Sequence, residues 1–267
     1  STGTATVDGS SSKWETNSEI SIGKRGVGVL NITDGGKVIT GGEAAIGVDS
    51  TGNGTVTVSG TNSSWASAGE LQVGNEATGV LTISSGGLVT NVGNGSIGKE
   101  IGSSGSVTVS GTGSTWNILA ALGVGGSDTA AGGTGSLQVD SGGVVSTTGS
   151  LRVWPSGTMS LSGGVIDAGA LLNLGGAMTF SSGTMNLTSS GSDLGSSVTF
   201  GDGGLTDTIL RLAPGSSATV GNLFLESNVT LHLDGGSLTA DTLNATSGSI
   251  RWDGGELHLG GGTSLIP

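Results

Sequence analysis

Apolar and polar positions alternate in short bursts along this chain. Val56-Thr57-Val58 is followed by a central piece carrying Trp65, then by Leu71-Gln72-Val73, each burst set off by Gly, Ser and Asn. The next stretch repeats the plan with Leu81-Thr82-Ile83, Leu88-Val89-Thr90 and Gly95-Ser96-Ile97. Alternation over so few residues is the mark of strands that bury one face, and Gly-rich punctuation marks the turns between them. Each unit of about 25 residues therefore reads as three short strands joined by corners.

The units are written in pairs. "GTVTVSGTNSSW" at 54–65 is nearly restated as "GSVTVSGTGSTW" at 105–116, and more loosely as "GTATVDGSSSKW" at 3–14. Trp14, Trp65 and Trp116 stand 51 residues apart, with Val38 and Val89 near the matching place in the units between. Every unit closes alike, with "ISIG" (20–23), "AAIG" (44–47), "LQVG" (71–74), "GSIG" (95–98) and "LGVG" (122–125). Periods in this range announce a solenoid, because one unit cannot bury its own apolar face and must stack on the next.

The expected fold is all-β, a parallel β-helix (β-solenoid) with three short strands per rung. Val56, Val58, Leu71 and Val73 point inward and stack in columns, while Thr57 and Gln72 face water. The Trp residues are expected to fill the core in alternate rungs, against a rival reading as an exposed aromatic row for sugars. "TDGG" (33–36), "SSGG" (84–87) and "VDSGG" (139–143) suit turns. Residues 1–267 form a single solenoid domain, with regular double rungs over 1–156 and shorter, less regular ones over 157–267. There "LHLDGGSL" (231–238) aligns with "IRWDGGEL" (250–257), so rungs shorten to about 20 residues.

Composition narrows the function. Of 267 residues 56 are Gly, 33% are apolar and 10% are charged, without the Gly-X-Y period of collagen. Net charge is −12 with only eight Lys and Arg, which argues against nucleic acid and against an anionic membrane surface. No apolar run reaches spanning length, so this segment is not expected to insert into a membrane. Cys is absent, which leaves the compartment open. Ser1 leads straight into repeat sequence, so any secretion signal is expected to have been removed or to lie outside this stretch.

"GTVTVSGTNSSWASAGELQVGNEATGVLTISSGGLVT" (54–90) resembles the passenger repeats of Gram-negative autotransporters, above all the self-associating, adhesin-type passengers. The likeness lies in the G-x-V/L-x-V/I-S-G and S-x-W motifs and the hydrophobic-x-V-G closure. It covers 1–156 well and the remainder loosely. The resemblance implies a right-handed β-helix on the bacterial cell surface or outside the cell.

Candidate chemistry is sparse. Paired Asp residues, a Gly-His-Gly and a Gly-x-Ser-x-Gly string are all missing from the sequence, so no catalytic, cofactor or metal residue is assigned and no cofactor is expected. The best constellation lies in the last rungs. If the 19-residue alignment holds, His232 lies beside Arg251 and Asp234 beside Asp253, with Glu256 and His258 one strand on. These are read either as a metal or acid–base site or as solvated surface. "DSTGNG" (49–54) is a weak oxygen-ligand loop without a bidentate Glu. N-x-S/T triplets begin at Asn31, Asn53, Asn62, Asn94, Asn186, Asn228 and Asn244.

The expected function is a non-enzymatic extracellular structural or adhesive module. Its partner is another copy of itself, laterally or end to end, or a cell-surface or glycan ligand. A filament protomer stacked end to end is the first alternative, suggested by the lack of a recognisable polar cap at the first residues. A carbohydrate-active β-helix enzyme is the second.

Overall fold

The computed structural model describes residues 1–203 and 206–260, and the backbone of 263–265. It is an all-β solenoid whose strands pair in parallel with the strand one lap earlier and one lap later. The first rung consists of Thr2–Asp8, Lys13–Thr16 and Ile20–Ile22, and the second of Gly26–Thr33, Lys37–Thr40 and Ala44–Ile46. Strands of one position form a column: Val7 pairs with Ile32, Ile32 with Val58, Ile83 with Val58 and Val109, and Val109 with Val139. Neighbouring strands in such a ladder lie about 4.8 Å apart. The stacking expected from the repeat is thus realised residue for residue.

Inward positions form a continuous core. Leu30, Ile32, Val56, Val58, Leu71 and Val73 are completely buried. In the second column Trp and Val alternate: Trp14 pairs with Val38, Val38 with Trp65, Val89 with Trp65 and Trp116, and Trp116 with Val145. Trp65 and Trp116 are 1% and 0% exposed, whereas Trp14, in the first rung, is 37% exposed. A large residue in one rung and a small one in the next keep the packed volume even, which explains why Trp recurs only in every second unit.

The Ser of the S-x-W motif has its own task. Ser63 and Ser114 are fully buried, and their hydroxyls accept hydrogen bonds from the amides of Gly35 (2.9 Å) and Gly86 (3.0 Å) in the rung before. Those glycines belong to tight corners in which Asp34 and Gly35, or Ser85 and Gly86, take positive φ in succession, the conformation that favours Asp-Gly and Ser-Gly. The second glycine of each "GG" is required for space: a Cβ on Gly87 would stand 2.4 Å from the Val58 carbonyl oxygen.

Beyond Val139 the rungs tighten. Val139 pairs with Leu161, Leu161 with Phe180 and Phe180 with Phe200, and Thr230 meets Ser249 nineteen residues on. Strands here run round the corners, as in Gly157–Asn173 and Val229–Ala245. Phe180 and Phe200 stack with centroids 4.4 Å apart. Two laps are longer: Phe200 pairs with Leu225, and Val109 with Val139. In the second case the extra residues leave the third corner after Gly125 and rejoin the first column at Thr134. The loop is tied down by Asp128 to Arg152 and by the Trp154 indole, which donates to the Ser127 carbonyl at 2.8 Å.

Candidate functional surface

Each column presents a strip of side chains to solvent, and the three strips differ in chemistry. The first column carries Thr6, Asn31, Thr57, Thr82, Thr108 and Gln138 in one register row. Over its first six strands, from Thr2–Asp8 to Thr134–Asp140, the only ionisable side chains are Asp8 and Asp140, each at the strand's last position. In a chain of net charge −12 this face is a neutral sheet of hydroxyl, amide and methyl groups.

The third column is acidic at its entry. Glu19, Glu43 and Glu70 follow one another rung by rung, since the Ile20 amide donates to the Glu43 carbonyl and the Ala44 amide to that of Glu70. Glu70 is held by Lys99 (3.0 Å), Ser96 (2.6 Å) and Gln72 (3.2 Å). Gln72 is consequently 5% exposed. The expectation that it faces water is corrected: outward from the strand, it is still covered by its charged neighbours.

The last rungs bring together part of the predicted constellation. His232 pairs with Arg251 as the alignment required. Both reach Asp253, whose Oδ2 lies 2.9 Å from His232 Nε2 and 2.7 Å from Arg251 Nε. The His232 hydrogen bond holds the Asp253 carboxyl below the usual aspartate range, against some desolvation and with help from the Arg251 charge. Asp234, however, does not stand beside Asp253. The register shifts after Leu233, Asp234 pairs with Gly254, and its carboxylate bonds Arg211 in the rung before. A simple alignment cannot foresee such a bulge, which inserts a residue into one strand only. Glu256 and His258 sit in the third column opposite Ser237 and Thr239, 2.9 Å from each other. The cluster is thus the Arg211–Asp234 ion pair, the His258–Glu256 hydrogen bond and the carboxylate of Asp253 shared by His232 and Arg251.

No family model matches this sequence, and no curated protein or solved structure matches it either.

The remaining candidates are structural in their surroundings. Asp49, which opens "DSTGNG", accepts from Arg25 Nε at 2.6 Å. Among the described residues no group of three or more His, Asp and Glu is arranged to hold a metal ion. Of the Asn residues that begin N-x-S/T triplets, Asn53 and Asn62 are exposed and Asn94 is half-buried. Sequence reasoning missed the neutrality of the first column, although it was readable: once the columns are aligned, every Lys, Arg and Glu of the first six rungs falls outside those strands.

Proposed function

We propose that this chain is a non-enzymatic structural or adhesive β-solenoid of a bacterial surface protein, acting outside the cell by lateral self-association or by contact with a surface or glycan. The observation that carries the reading is the first-column face, whose strands from Gly26–Thr33 to Ser104–Ser110 carry no ionisable side chain. Two copies of a polyanion repel one another, and at physiological salt that repulsion acts over about 8 Å. The neutral face is where two rods can come together without placing carboxylate against carboxylate. Its regular hydroxyls supply many weak hydrogen bonds, each worth about 1 kcal/mol net, spread along the rod.

The autotransporter-passenger identity belongs to the same proposal and is supported by the S-x-W, G-x-V-x-V and x-V-G motifs, each with a defined role in the stack. The dispersal of the predicted constellation, with Asp234 drawn to Arg211 and Glu256 and His258 in the third column, favours the non-enzymatic reading. General acid–base work needs two titratable groups within reach of one bond. Sedimentation velocity over a concentration series tests the proposal. The wild-type chain should associate, and Thr57→Lys with Thr82→Lys, which puts two charges in adjacent rungs of the neutral face, should remain monomeric. A strict monomer at high concentration that also fails to bind cells or glycans would overturn it.

A further inference from the structure

Alternate rungs turn their first corner with different numbers of residues. Ser59 pairs with Ser84 and Ser64 with Leu88, so the Trp-bearing rung spends one residue more between the two columns than the rung above it. The same holds on the other side, where Ser110 pairs with Ser84 and Thr115 with Leu88. The shorter Ser85-Gly86 corner therefore lies between two larger ones: a Cβ on Gly86 would meet Thr61 at 3.3 Å, and one on Gly113 would meet the Gly86 Cα at 3.5 Å. Along this seam runs a groove of about 480 Å³ with Gly86 and Leu88 among its lining residues and Asn62, Ser64 and Asn117 alongside.

Its lining combines two features. Leu88 is 38% exposed, an apolar side chain left in solvent on a polar surface. Among the described residues, the side chains of Asn62, Ser64 and Asn117 have no hydrogen-bond partner, although the nearby Asn91 and Asn94 are bonded to backbone groups. Two amides and a hydroxyl, with donors and acceptors to spare, thus surround one aliphatic patch. Lys37, at one end, is the one ionisable residue in the lining.

We propose that this groove binds a short neutral oligosaccharide. A sugar ring offers a patch of C–H groups to an aliphatic side chain and, around its rim, hydroxyls that both donate and accept, as amides and hydroxyls do. The volume falls in the range of about 300–1,000 Å³ typical of small-ligand sites. Lys37 stands at one end, away from Leu88 and Asn117, and the chain's net charge of −12 disfavours an acidic sugar along the rest of the groove. A peptide adding as a strand requires an open sheet edge, and the strands flanking the groove, Ser64–Ser67, Leu88–Asn91 and Thr115–Ile118, are paired on both sides.

The inference rests on the reading of the chain as a surface-contact module, and names a ligand class and a place for it. The test is an array of short neutral oligosaccharides of glucose, galactose, mannose and N-acetylglucosamine, beside sialylated and uronic acid glycans, with calorimetry on the strongest binder. Leu88→Glu and Asn117→Ala should each weaken binding at least about tenfold, roughly 1.4 kcal/mol, while circular dichroism and the urea midpoint stay near wild type. Thr57→Lys with Thr82→Lys, on the other face, should bind the sugar normally whether or not it abolishes self-association, so the two proposals fail separately. Absence of neutral-glycan binding by the wild-type chain, preference for acidic glycans, or unchanged binding in both groove variants would overturn the inference.

Discussion

The indole Nε1 of Trp116 donates to Asn91 Oδ1 at 2.8 Å, from one rung to the rung before it. Trp65 does the same to Thr40 Oγ1 at 3.1 Å, again 25 residues back. Each Trp therefore fills the core of its own lap and ties it to the preceding one with its single polar atom. A buried indole without such a partner would carry an unsatisfied donor.

Trp116→Ala and Trp65→Ala should each destabilise the solenoid by about 3–5 kcal/mol, the cost of emptying a large buried site. Trp14→Ala should cost much less, because Trp14 is 37% exposed and packs against a neighbouring rung on one side. Urea unfolding of the three variants checks the order. Equal midpoints for all three would contradict the packing described.

Asn91→Ala removes the acceptor of Trp116 and also the amide that donates to the Gly93 and Asn94 carbonyls. A loss of about 1–3 kcal/mol is expected, the range for leaving buried polar groups unpaired. Trp116→Phe in the Asn91→Ala background should cost less than in the wild-type chain, since the orphaned N–H is then gone. A double-mutant cycle measures that coupling.

Gly87→Ala should be destabilising even though Ala is the smallest change, because the new Cβ would approach the Val58 carbonyl oxygen to 2.4 Å and the corner backbone has to move. Gly102→Ala provides the comparison. Its φ is +88° but nothing lies within 4 Å, so it reports backbone strain alone, about 1–2 kcal/mol. Gly87→Ala is expected to be the worse of the two in thermal melts.

Asp253 supplies a pH test. Its carboxyl is held below the ordinary aspartate value first by the His232 hydrogen bond and then by Arg251. A lowered folded-state value means that the contribution to stability is present above the unfolded value and fades as pH falls through the folded one, a window below about pH 4. NMR titration of the Asp253 carboxyl should show it moving up toward the ordinary value in His232→Ala. No movement would mean that the contact is absent in solution.

Much of this architecture was legible because the repeat is literal. The columns containing Val7, Val58 and Val109 follow from three near-identical strings, and the alternation of Trp with Val38 and Val89 predicted which rungs needed bulk. The role of Ser63 and Ser114, two positions before Trp65 and Trp116, was not legible, since a buried hydroxyl capping a corner in another rung is a long-range contact with no local pattern. The Asp234–Asp253 expectation failed for a related reason: "LHLDGG" and "IRWDGG" look equivalent, yet the register shifts between Leu233 and Asp234 and moves the second carboxylate out of line. The groove at Leu88 escaped notice because it arises from a difference of one residue between corners, not from any motif.

The loop that leaves after Gly125 and returns at Thr134 leaves the columns on either side in step: Ser104 still meets Thr134, and Val109 still meets Val139. A chain built this way separates what holds it together from what it shows to its surroundings. Segments can be lengthened or exchanged at a corner for only a slowly growing closure entropy, while the buried ladders continue unchanged. New recognition can thus be grafted onto the rod without redesigning its interior.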